Sequence, residues 1–198
     1  MKKLIVFACL ATAVTMTAST AMADSIKGRV GVTGRIGFLA PADNNAEFSN
    51  NRTDAGLIAG VGLIYGIDDH FAAEFEVTRA SFGSDRGDFG VTNVSFGGQY
   101  RFALQQRQLV PYLGAGLDIL VTDYDENFGT RRDVDTKVGV HISGGVDYFL
   151  LKELALTAEA KVVAAPDAGI TNRQNGNDAG DFDPSSFSTT VGIRYFFN

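Results

Sequence analysis

Eight stretches of this 198-residue chain alternate apolar and polar side chains at every second position. In Lys27–Leu39, Val30, Val32, Ile36 and Phe38 fall on one parity, and Arg29, Thr33 and Arg35 on the other. Successive side chains of a strand point to opposite faces, so such a segment has one oily and one charged face. Those faces need two different solvents. A sheet closed into a barrel across a bilayer supplies both, hydrocarbon outside and a small polar interior within. The predicted strands are Lys27–Leu39, Ala55–Ile67, Phe71–Phe82, Val91–Phe102, Val110–Thr122, Asp135–Tyr148, Leu154–Ala164 and Ser186–Phe197. Each has about the length of a tilted membrane strand, or slightly more.

The first residues are expected to stand outside the fold. Lys2 and Lys3 form a basic start, Leu4 to about Val14 is a short apolar run, and Ala21-Met22-Ala23 ends it with small residues. That is the layout of a secretory signal cut before Asp24. The run is too short for a membrane helix. Cys9 lies too near the start, after a poor Val6-Phe7-Ala8 context, for a lipoprotein signal. Residues 1–23 are therefore read as signal peptide and 24–198 as one barrel domain of 175 residues, with formal charge −8 in place of −6. The only cysteine leaves with the signal, and with it any disulfide, thiolate nucleophile or Cys metal ligand. A net acidic chain lacks the basic surface that nucleic-acid phosphates require. No later stretch offers the ~20 apolar residues of a membrane helix, which leaves a closed barrel as the way to span.

The apolar parity persists along the chain, for example Leu57, Ala59, Val61, Leu63 and Tyr65, then Leu113, Ala115, Leu117, Ile119 and Val121. The opposite parity collects Arg29, Arg35, Glu74, Glu76, Arg101, Asp118, Lys137, His141, Asp147, Glu159, Lys161 and Arg194. Each Arg or Lys turned to lipid at mid-membrane would cost roughly 2–4 kcal/mol, so the charged face is expected inside as a polar network. Ile58, Ile64 and Val163 break the pattern on the inward parity, and Arg79 on the outward one, where it is expected to snorkel to the outer interface. Tyr65, Phe71, Tyr100, Phe102, Tyr112, Tyr148, Tyr195 and Phe197 gather at one predicted rim. Short links (Asp68–His70, Ala103–Leu109, Phe149–Glu153) alternate with longer ones (Ala40–Asp54, Gly83–Gly90, Asp123–Val134, Ala165–Ser185). Outer-membrane barrels have short periplasmic turns and long external loops, which predicts periplasmic termini. Glycines within the runs suit a narrow, curved barrel with large inward side chains. A soluble lipocalin-like barrel, oily inside and polar outside, shares the alternation. The loop lengths, the aromatic rim and the glycines favour the membrane.

Thr189–Phe197 resembles the C-terminal signal read by the barrel-assembly machinery, with Tyr195 and Phe197 as its aromatics and Asn198 in addition at the end. Pro111-Tyr112-Leu113-Gly114-Ala115-Gly116-Leu117 resembles an internal strand of small outer-membrane barrels. Gly145–Leu150 followed by Leu154–Lys161 resembles a hairpin of the OmpW family. That resemblance implies an eight-stranded, up-and-down, all-β transmembrane barrel of the Gram-negative outer membrane, linked to passage of small hydrophobic molecules. The charged inward parity departs from an oily conduit.

Catalytic, cofactor and metal sites are not expected. His141 and Ser143 share a strand face, where imidazole would activate a hydroxyl. The pair resembles that of PagL-type lipid A deacylases, with Glu153 or Glu159 as candidates to orient the histidine. The bland reading is two members of an interior hydrogen-bond network. Asp123, Asp125 and Asn127 have the early spacing of a calcium loop, but Gly129 comes one place late and the closing Glu is missing. Asp178, Asp181 and Asp183 form a second acidic group, and Arg131-Arg132 a candidate contact for lipopolysaccharide phosphates. The inward charges either plug the lumen in pairs or line a thin water path, and pairing suits their near-balanced signs. The expected role is passive passage of small hydrophobic solutes or envelope integrity; the alternative is a plugged barrel for structure or surface interaction. Expected partners are outer-membrane lipid, lipopolysaccharide and the assembly machinery, with the protein a monomer.

Overall fold

The computed structural model describes residues 25–41, 55–84, 87–102, 108–126, 131–134, 136–172 and 178–197. The signal-peptide reading lies outside them, as do Asn127 and Gly129. Strands β1 (Val30–Pro41), β2 (Gly56–Gly66), β3 (Phe71–Ser84), β4 (Gly87–Arg101) and β5 (Leu109–Glu126) form one antiparallel run. It continues through β7 (Lys137–Phe149), β8 (Leu154–Ala164) and β11 (Ser186–Phe196). Pairing of β11 with β1 from Gly31↔Phe196 to Pro41↔Ser186 closes the ring. The fold is thus a closed, eight-stranded antiparallel barrel, and every edge within the belt is paired.

Three short strands lie beyond the ring. β6 (Arg131–Val134) pairs with the far end of β5, β9 (Ala168–Asn172) with β6, and β10 (Asp178–Phe182) with β9. Two long links expected as loops therefore contain a sheet extension, and the β3–β4 link Gly83–Gly90 shrinks to residues 85–86 because the ladder runs on to Ser84↔Gly87. These strands are joined by backbone hydrogen bonds, which need no alternation of side-chain type. Asp123 and Asp125, which share the early spacing of a calcium loop, sit on this paired ladder opposite Asp133 and Arg131.

The first strand starts later than the alternation predicts. Gly28 turns at φ +73°, its N–H bonds to the Gly66 carbonyl at 2.7 Å, and regular pairing begins at Val30. The turn tucks Ile26 beneath the barrel, where it meets Ile64, Ala72, Phe149, Ala155 and Phe196 in an apolar plug. The Phe149 and Phe196 rings stack with centroids 5.8 Å apart. This plug closes the end that carries the short turns and both described chain ends.

The wall settles which face is oily. Leu57, Val61 and Ile142 are each about two-thirds exposed, whereas Asp118, Asp147 and Arg194 are fully enclosed. An apolar surface this continuous belongs in hydrocarbon rather than water. Tyr100, Phe71 and Phe102 make edge-to-face contacts at the short-turn rim, as do Tyr195 and Phe197. Tyr112, predicted at that rim, instead points inward and is buried. It precedes outward Leu113, so its parity is that of the lumen.

Candidate functional site: the luminal ion network

The inward positions of six strands converge on one cluster in which four cations meet four carboxylates: Arg35, Arg101, Lys161 and Arg194 with Glu74, Glu76, Asp147 and Glu159. Arg35 of β1 is the hub. Its Nη1 donates to Glu159 of β8 at 2.5 Å and lies 3.3 Å from Glu76, and its Nη2 donates to Glu74 of β3 at 2.7 Å. Lys161 Nζ donates to Glu76 at 2.5 Å. Arg194 of β11 donates to Glu74 at 2.8 Å, to Asp147 at 2.7 Å and, through Nε, to Thr33 at 2.9 Å. Arg101 of β4 donates to the same Asp147 oxygen at 2.7 Å. Gln99 donates to the second Glu74 oxygen at 2.6 Å, and the Tyr112 hydroxyl donates to Glu159 at 3.0 Å. The Arg101 and Arg194 guanidinium carbons stand 5.9 and 5.7 Å from the Tyr112 ring centre, so one ring carries two cations on its negative π surface.

Glycine makes room for these long side chains. Arg35 is flanked in register by Gly60 on β2 and Gly192 on β11. A Cβ on Gly192 would lie 3.0 Å from the Arg35 Cγ and closer still to the Gly34 carbonyl oxygen. Gly97 and Gly116 likewise lie beside the His141 ring, whose Cε1 would be 2.7 Å from a Cβ on Gly116. His141 Nδ1 is 2.6 Å from Asp118, which also accepts a 2.7 Å bond from Asn93. Asp118 is thus the carboxylate beside the histidine. Of the two acids considered from sequence, Glu159 is held by Arg35 and Tyr112, and Glu153 lies in the β7–β8 turn, where its carbonyl accepts the Phe196 N–H. Ser143 is buried two residues beyond His141, beside Gly114. Both side chains of the pair face the enclosed lumen.

Two of the predicted network residues do other work. Arg29 precedes β1 at the closed end, below the ionic layer and beyond reach of its carboxylates. It donates instead to the carbonyls of Lys152, Phe196 and Phe197 at 3.0, 3.3 and 3.4 Å and lies over the Phe196 ring. Lys137 stands half-buried at the opposite end of β7, opposite Leu120. On the long-loop side of the network a cavity of about 30 Å³ remains. Leu39, Ile58, Val91, Leu120 and Val163 wall it, and Glu76, Glu159 and Lys161 form its floor. Among the described residues no three His, Cys, Asp or Glu side chains are grouped to hold a metal.

With an oily outer wall and an ionic interior, the geometry is that of a membrane barrel, and comparison with known proteins agrees. The model of the outer membrane protein beta-barrel domain matches residues 7–195. The fold is similar to OprG of Pseudomonas aeruginosa, with TM-score 0.69 at 16% identity over 87% of this chain and 97% of that one. It is also similar to Neisserial surface protein A, with TM-score 0.66 at 18% identity over 86% and 98%. AlkL, solved in lipid bilayers, gives TM-score 0.58 at 16% identity over 87% and 91%. A search of curated proteins finds no match. The chain belongs to the outer membrane protein β-barrel domain family.

Proposed function

We propose that this protein is a closed-lumen barrel that supports envelope integrity and presents its long-loop end to the exterior, with both termini and the short turns in the periplasm. The observation that carries the reading is the cross-lumen pairing of four cations with four carboxylates directly above the apolar plug. Buried charges stay in place when each has a partner, and here each cation is braced by carboxylates from other strands. Eight strands complete a barrel whose interior side chains can fill it, so a monomer suffices. In this reading the protein is not an enzyme, and His141 and Ser143 are buried packing partners that face the lumen rather than the lipid. Tyr195 and Phe197 serve recognition by the assembly machinery.

Planar-bilayer recording of purified protein tests the closed lumen. Wild type should give no discrete current steps, and Arg35→Ala/Glu159→Ala should give none either while the apolar plug below the hub stays in place. Regular ohmic steps from wild type would refute the reading. A second role, uptake of small hydrophobic molecules, would have to use the continuous apolar outer wall, because the upper cavity of about 30 Å³ is too small for such a solute. It predicts faster entry of an apolar dye into protein-loaded vesicles without ion current, and unchanged dye entry would remove it.

A further inference from the structure

On the lipid-facing side of β3, β2, β1, β11, β8 and β7 the wall is hollowed into an open groove of about 1070 Å³. Its floor lies where outward side chains stop short, at Gly34, Ala59 and Ala158, between taller Ile36, Val61 and Ile193. A Cβ on Gly34 would meet nothing within 4 Å, so the surface there is open. The register gives the groove a direction. Arg79 pairs with Ala59, Ala59 with Ile36, Ile36 with Val191, Val191 with Ala158, and Ala158 with Val146. The row starts eight residues past Phe71 at the short-turn end of β3, and finishes three residues before Phe149 at the same end of β7. It therefore descends from the long-loop side towards the short-turn rim. Five inter-strand steps of ~4.8 Å span about 24 Å. With strands tilted ~45° this is about 17 Å of depth, close to one leaflet's share of a ~30 Å hydrocarbon core.

The upper end of this apolar track is cationic. Arg79 points outward, its Nη1 donates to Thr92 Oγ1 at 3.0 Å, and its Nη2 lies over Gly90. Beyond Val77 on β3 and Val94 on β4, the outward positions become Arg79, Ser81, Thr92 and Gly90, so the guanidinium marks the top of the belt on this side. A guanidinium fork matches phosphate, and the groove below it matches an acyl chain. One molecule that answers both is a phosphorylated lipid.

We propose that this groove binds a phosphorylated glycolipid of the outer leaflet, of the lipid A type, with a phosphate on Arg79 and an acyl chain laid along the row to Val146 and Tyr148. The choice of leaflet rests on the orientation proposed above; the phosphate-and-chain site does not. The test is native mass spectrometry of the protein released from neutral phosphatidylcholine nanodiscs doped with lipid A or with phosphatidylglycerol. Wild type should retain lipid A. Arg79→Ala, which removes the fork, and Gly34→Leu, which fills the floor while leaving the fork, should each weaken retention by roughly tenfold or more. Ile142→Ala, outward but away from the groove, should not, and heat-dependent gel mobility verifies that each variant is folded. Equal retention by wild type and both groove variants overturns the site. Arg79-dependent retention of phosphatidylglycerol over lipid A overturns the leaflet assignment. Labelling of a C-terminal tag in intact cells by a membrane-impermeant reagent overturns the orientation separately.

Discussion

Replacement of Arg35 by methionine is the sharpest probe of the luminal network. The substitution keeps a long side chain but removes a guanidinium that meets three carboxylates at 2.5, 2.7 and 3.3 Å. Glu74 retains Arg194 and Glu76 retains Lys161, but Glu159 is left with the Tyr112 hydroxyl and a Lys161 ammonium 3.9 Å away. One negative charge is then uncompensated in an enclosed space. Loss of one partner of a buried pair costs about 3–5 kcal/mol, a large part of a typical 5–15 kcal/mol domain stability. Equilibrium unfolding from lipid vesicles in urea should show that loss for Arg35→Met. The double variant Arg35→Met/Glu159→Gln removes the orphaned charge as well and should recover at least half of it. If Arg35→Met falls within about 1 kcal/mol of wild type, the size of a surface pair, or if Glu159→Gln gives no rescue, the four-against-four balance is not what holds the interior.

Other positions carry separate expectations. Gly116→Ala should lower stability by about 1–3 kcal/mol in the same assay, because its Cβ would press on the Phe96 carbonyl, the Gly97 Cα and the His141 ring, whereas Gly34→Ala should be nearly neutral. Phe149→Ala should cost about 3–5 kcal/mol by opening a void beside Phe196 in the plug. In the β2–β3 turn, the Asp68 carboxylate accepts the His70 and Phe71 N–H groups at 2.7 Å each, and those two bonds hold its pKa below the ordinary aspartate value. Its contribution is therefore present above the unfolded-state pKa and lost as pH falls through the lowered folded one. Amide exchange of His70 and Phe71 should accelerate across that acid range in wild type and be pH-insensitive, beyond intrinsic exchange, in Asp68→Asn.

The ring of strands was legible because each must satisfy hydrocarbon and an ionic interior at once, which writes a two-residue period into the chain. Strands β6, β9 and β10 left no such trace, since Arg131–Val134, Ala168–Asn172 and Asp178–Phe182 are too short to show a sustained two-residue period. Parity assigned Arg35 and Glu159 to the lumen, but said nothing of height. Height is set by the register around the cylinder, and so the meeting of two residues 124 apart was not readable. The same gap put Arg29 into the ionic cluster, although it lies a layer below. Tyr112 was misplaced for a different reason. Its ring suggested the amphipathic rim, while its position next to outward Leu113 already assigned it inward. Ile26 and Phe196 escaped notice because apolar residues inside a polar lumen run against the pattern that identified the fold.

The hub joins distant parts of the chain. Arg35 sits on β1, its carboxylates on β3 and β8, and the plug below it is built by Ile26 from one end and Phe196 from the other. Neither full neutrality nor the seal is available to a half-finished sheet, because the Arg35–Glu159 pair and the contact of Ile26 with Phe196 both span the seam. An open curl of strands would hold Glu159 without its Arg35 partner until its first and last members zip together. Sewing that seam thus completes wall, stopper and charge cancellation together.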